Sequence, residues 1–233
     1  MLRISFLLSV VLSVVIISSC GNTSKEQATD VNQTSDSTIL ETTDVEAQQE
    51  LEEVIDFTKF EHYASIANKE ELSKQFGEAN LTDAVLWYAE GTVQVNTSKL
   101  TNPDTKHVIV FVWDDADKTS SIEAHYTLRD KDFMPIGTQK IACANGLTLG
   151  MTIAEINAWN DGAFKFSGFG WDQGGFIHND ENSNLGKSSL TASLALQSYE
   201  GAEWAMGDIA LSSTDERLGT LDIVLGSFTM YIE

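Results

Sequence analysis

The residues best placed to do chemistry lie in Gly168-Phe169-Gly170-Trp171-Asp172-Gln173-Gly174-Gly175, where large aromatics alternate with glycines beside an acid and an amide. Exposed Trp and Phe among glycines form a flat platform for a sugar ring or a partner's side chain, because aromatic rings combine large contact area with a defined face. A ligand site here would centre on Phe169, Trp171, Asp172 and Gln173. The same spacing more often means core aromatics whose glycines allow a bulge and a close backbone approach. Asp180-Glu181-Asn182-Ser183-Asn184 has oxygen ligands at the short spacing of a calcium loop. However, its glycine comes one position late at Gly186, and Thr191 stands where a bidentate Glu is needed. That segment and Asp114-Asp115-Ala116-Asp117 both read as solvated turns. His62, His107, His125 and His178 lack the spacing of a zinc site. No phosphate loop or G-x-S-x-G elbow occurs. Carboxylate pairs are too numerous in so acidic a chain to mean catalysis; no catalytic residue, metal or cofactor is expected, and an acid/base pair in a cleft is the enzymatic alternative.

A second chemical signal stands near the amino terminus. Arg3 precedes a short apolar run from Ile4 to Ile17, and Ile17-Ser18-Ser19-Cys20 closes it. The run is too short to span a bilayer comfortably, and small residues precede the cysteine, so residues 1–19 read as a cleaved signal peptide. The tetrapeptide resembles the lipobox of bacterial lipoproteins. That resemblance implies diacylation of the Cys20 thiol, cleavage before it and acylation of the new amino terminus. Each buried CH₂ then contributes about 0.8 kcal/mol to anchoring. Gly21, not Asp, follows the cysteine; by the same resemblance this favours the outer membrane, with either face open. The other cysteine, Cys143, lies in Ile141-Ala142-Cys143-Ala144 and reads as a buried structural thiol.

From Gly21 to Asp56 ten acids face one lysine, with few large apolar side chains. Residues 20–56 are accordingly expected to form a lipidated, solvated acidic tether. Thr43 and Glu46 make a capping-box pattern ahead of Leu51, Val54 and Ile55, which predicts a helix over 44–56. The formal net charge is −21, and −22 once Arg3 leaves with the signal. So acidic a surface is a poor match for nucleic acid.

The elements that would position these residues fall into two similar halves. In residues 57–140, Asn68 and Glu71 cap a helix carrying Leu72 and Phe76, with Gly77 as its stop. Strands are then expected at Ala84–Ala89, Thr92–Val95, His107–Trp113 and Ser120–Leu128. In residues 141–233, Thr152 and Glu155 form a capping box for a helix with Ile153, Ile156 and Trp159 on one face, stopped by Asn160-Asp161-Gly162. Strands are expected at Phe164–Trp171, Phe176–His178, Ser189–Leu196 and Leu221–Ile232, with a short helix or edge strand within Ser198–Arg217. The expected fold is α+β: two helix-plus-antiparallel-sheet units, α-β-β-β-β repeated, forming helices on sheet.

Leu149-Gly150-Met151-Thr152-x-x-Glu155-Ile156 and the hairpin after it resemble the helix openings of outer-membrane assembly lipoproteins of the BamE/SmpA type and of tandem β-lactamase-inhibitor-like folds. The run Gly168–Gly175 is similar to uncharacterised envelope lipoproteins of Bacteroidota-type bacteria. About 30 residues carry the likeness, and the chain departs from the assembly lipoproteins in lacking their disulfide and in having two copies of the unit. The lipobox, the flexible tether and the repeated helix-plus-sheet architecture together lead to the expectation of a non-enzymatic lipid-anchored envelope protein, held to the membrane by its lipid, that binds an envelope partner through its sheet face. A small-ligand or glycan binder using the Trp171 region is the alternative.

Overall fold

Helix α1 (Lys69–Phe76) forms where the cap pattern places it. Asn68 accepts the Glu71 N–H at 2.9 Å, Leu72 and Phe76 are buried, and Gly77 ends the helix at φ 81°. Helix α2 (Ile153–Asn160) opens with the complete capping box between Thr152 and Glu155 and ends on Asp161 in the left-handed region. The computed structural model describes residues 55–88, 91–178 and 180–232, all within the unit Glu52–Glu233. The expected signal peptide, Cys20 and the helix expected over 44–56 lie outside the described residues, save Ile55 and Asp56, which are not helical.

The strands are β1 (Leu81–Tyr88), β2 (Val93–Thr101), β3 (Val108–Trp113), β4 (Thr119–His125), β5 (Thr127–Arg129), β6 (Pro135–Thr138), β7 (Lys165–Ser167), β8 (Ile177–His178), β9 (Leu190–Leu196), β10 (Ala210–Ser212) and β11 (Ile223–Tyr231). Six form one antiparallel sheet in the order β1-β2-β3-β4-β11-β9. A three-stranded sheet β10-β7-β8 and the hairpin β5-β6 complete the mixed α and β architecture. Phe111 faces Ile122, Ile122 faces Met230, and Phe228 lies between Ala124 and Ala192, so one face of the sheet is apolar across β3, β4, β11 and β9. Phe60, Tyr63, Ile141, Leu147, Leu149 and Ile156 join the same buried cluster, with the Phe60 and Phe228 rings 5.5 Å apart.

The second half does not build the separate four-stranded sheet expected of it; the sheet made wholly of its own strands is the short β10-β7-β8. Its strands β11 and β9 extend the meander β1–β4, and only its short strands pair apart. The strand expected over Phe164–Trp171 is also shorter, at Lys165–Ser167. Gly170 and Gly175, at φ 82° and 76°, fold the chain back after Phe169, a conformation glycine adopts without steric penalty. Within Ser198–Arg217 both expected kinds of element occur: a 3₁₀ turn at Glu203–Ala205 and the short β10.

Candidate functional site

The aromatic glycine run was the leading site, and the structure separates its members. Phe169 is buried at 4% exposure and packs 5.8 Å from the Phe166 ring. Asp172 and Gln173 are exposed, and Trp171 is 36% exposed. The Trp171 indole N–H donates to the Gly168 carbonyl at 2.8 Å, so its ring offers a surface for stacking but no free donor. Phe169 thus leaves the proposed platform for the core, while Trp171, Asp172 and Gln173 stay together at the surface.

The glycines after them have a different use. Gly175 N–H donates to Ser167 O at 3.0 Å, and Gly175 O accepts the Leu194 N–H at 2.8 Å. A Cβ on Gly175 would run into the Leu194 carbonyl oxygen. The segment therefore lies backbone-to-backbone along β9, which continues into the Phe176–Ser193 bridge, and closes that edge of the large sheet. Close approach of this kind needs glycine.

The opposite edge is β1, which has no strand neighbour beyond it among the described residues. Its burial is low throughout, with Val85 44% and Trp87 61% exposed, and Val93 opposite Tyr88 is 50% exposed. β1 holds neither proline nor lysine, and its one charge, Asp83, is held by Lys69 Nζ at 2.6 Å and Ser98 Oγ at 2.6 Å. The Lys69 bond first, and the Ser98 bond next, lower the Asp83 pKa below the usual carboxylate value. At the end of β1, Tyr88 donates to Glu123 Oε1 at 2.9 Å although β2 and β3 intervene, so the β1–β2 ribbon curls across the sheet. Burial, and then the Glu123 charge, raise the Tyr88 phenol pKa and keep it a donor.

One further pair escaped sequence reasoning. Ser167 Oγ and His178 Nε2 lie 3.0 Å apart, a spacing suited to a nucleophile and its base. His178 and Asp180 line a cavity of about 440 Å³. Yet Ser167 itself is only 6% exposed, and Asp180 Oδ1 accepts the Asn182 N–H instead. The pair therefore joins neighbouring strands β7 and β8, and an eleven-residue separation offers no sequence pattern to find it by.

In each acidic loop the first carboxylate, Asp114 or Asp180, bonds within its own turn. Asp114 Oδ1 accepts from the Ala116 and Lys118 N–H groups, each at 2.8 Å. Among the described residues, no group of three His, Cys, Asp or Glu side chains is placed to share a metal ion. Cys143 is fully buried, and burial first, with Glu61 second, raises its thiol pKa. Among the described residues no helix is long and apolar enough to cross a membrane. No protein-family model, curated protein or solved structure matches this chain.

Proposed function

We propose that this chain is a lipid-anchored protein of the cell envelope, attached to the outer membrane through Cys20, that works by binding another envelope protein and not by catalysis. The observation that carries this reading is the asymmetry of the six-stranded sheet: β9 is closed by Gly175 and Phe176, while among the described residues nothing pairs with the outer edge of β1, which bears Val85 and Trp87. An open edge offers main-chain hydrogen bonds to an extended segment, and side chains on alternate positions select it. The partner contributes a strand alongside Leu81–Tyr88. The likeness between the two helix caps supports a further proposal, that the halves derive from one helix-plus-sheet unit.

A photoreactive residue at Val85 or Trp87 of the native lipidated chain, activated in cells, tests the reading. One dominant envelope protein is expected from these positions and not from Thr191 on β9, and Val85→Lys should abolish capture by a probe at Trp87. Equal capture at β9, or none at β1, sinks the proposal. The exposed Trp171–Gln173 surface favours a second reading, glycan or small-ligand binding. Its test is a glycan screen in which Trp171→Ala should remove every hit.

A further inference from the structure

The most exposed apolar cluster lies at neither site. β4 leaves the large sheet at Tyr126, and β5 and β6 continue it as a hairpin whose residues Lys131–Thr138 are all exposed. Its tip carries Phe133, Met134 and Ile136, at 72%, 60% and 64% exposure.

The tip is held in place. Phe133 N–H donates to Asp130 O at 3.1 Å, and Asp130 N–H to Met134 O at 3.0 Å. Asp130 Oδ1 takes the Asp132 and Met134 N–H groups, each at 2.9 Å, and Arg129 Nη1 donates to Phe133 O at 2.8 Å. This network holds Phe133 at φ 61°, a conformation that is strained for a bulky residue and persists only when its surroundings impose it. The root is equally fixed. Gln139 bridges Val108 and His125, accepting from Val108 N–H at 2.8 Å and donating to both carbonyls at 2.9 Å. An apolar tip is thus kept rigid in water at a cost in strain.

Charge indicates what it meets. Residues 127–140 hold Arg129, Lys131 and Lys140 against Asp130 and Asp132, a net of +3 − 2 = +1, which leaves −22 on the rest of the chain. With Lys131 held by Asp132 at 2.8 Å, the positive balance comes from Arg129 and Lys140 at the base of an apolar tip, on a strongly acidic body. At a bilayer surface, rings and thioethers enter the acyl boundary while Lys and Arg stems reach back to the phosphates. A phosphate layer would repel the remainder of the protein and admit this tip.

We propose that the β5–β6 hairpin is a membrane-surface finger, inserting Phe133, Met134 and Ile136 into a phospholipid interface with Arg129, Lys131 and Lys140 at the headgroups. The contact is separate from any lipid on Cys20. It orients the domain by presenting the His125 end of β4 to the membrane, with the opposite end, where Lys118 bridges Asn68 beside α1, turned away.

The test uses the full chain carrying Cys20→Ser, so that no attached lipid contributes. A nitroxide is placed at Met134→Cys or, as control, at Gln75→Cys on α1. Buried Cys143 does not compete for the label. With vesicles of phosphatidylcholine and phosphatidylglycerol, the Met134 probe should gain access to oxygen and lose access to a water-soluble nickel chelate, while the Gln75 probe stays in water. Phe133→Ser with Ile136→Ser should reduce the immersed fraction at least about tenfold. A Met134 probe that stays in water, or both probes immersed alike, overturns the proposal. Immobilisation without oxygen access would also overturn it, because that marks a protein pocket. Mass analysis of the native amino-terminal peptide tests the lipid on Cys20 separately.

Discussion

Gly175→Ala should separate the cost of a left-handed backbone from the cost of losing a closed sheet edge. Gly175 sits at φ 76°, and its added Cβ would meet the Leu194 carbonyl oxygen. Gly201 sits at φ 75° with nothing within 4 Å of an added Cβ. Alanine at Gly201 therefore bears only the conformational cost, about 1 kcal/mol. Alanine at Gly175 bears that cost and must also push the segment off β9. The shift breaks Gly175 N–H to Ser167 O and Leu194 N–H to Gly175 O, each worth about 1 kcal/mol net. The expected losses are about 3 and about 1 kcal/mol. With a urea slope of about 2 kcal/mol/M, the difference appears as a midpoint about 1 M lower for Gly175→Ala than for Gly201→Ala. Tryptophan fluorescence in urea reads both. Midpoints that coincide would refute the closure of β9 by this segment, and with it the claim that β1 is the exceptional edge.

Two other perturbations test local physics. Burial lowers the His107 pKa, opposed by a bond to Phe57, and its Nδ1 is buried without a partner. A histidine that binds its proton less well when folded adds stability above the unfolded pKa of about 6.5 and loses it as pH falls toward the folded value. The urea midpoint should therefore drop more steeply below about pH 6.5 in the native chain than in His107→Phe; identical slopes would remove His107 from the acid response. Thr152→Ala deletes the acceptor for the Glu155 N–H and should cost about 1 kcal/mol in the same assay. An unchanged midpoint would mean that the start of α2 is held by the Thr152 N–H to Glu155 bond and the Leu225 N–H to Met151 O bond, without the threonine hydroxyl.

Local signals were legible where one segment decides its own fate. Asn68 and Thr152 fix helix starts through side chains that bond within three residues, and both helices begin there. Dense β-branched runs such as Val108–Trp113 become strands, and Cys143 in its small apolar run is buried. What the sequence could not show depends on distant partners. Whether Phe169 faces water or core is decided by Met206 and Phe166, and the place of β11 between β4 and β9 by cross-strand pairs over 100 residues from β4. The hairpin tip was silent for another reason: Asp130 to Ile136 has no periodicity, and Phe133 owes its exposure to a turn held by bonds from Asp130 and Arg129.

The two sheet edges pose one physical question with two answers. A free strand edge invites pairing with any extended chain, and proteins usually blunt it with proline, lysine, a bulge or a covering segment. β9 is covered. Among the described residues β1 has none of these guards, and its one charge is already paired with Lys69. A net charge of −21 supplies protection of another kind, since two such bodies repel at the distances where strand pairing begins. Repulsion between copies is blind to sequence and falls away for a neutral or basic partner. The same charge that keeps β1 from joining β1 of another copy leaves it open to a strand of different charge.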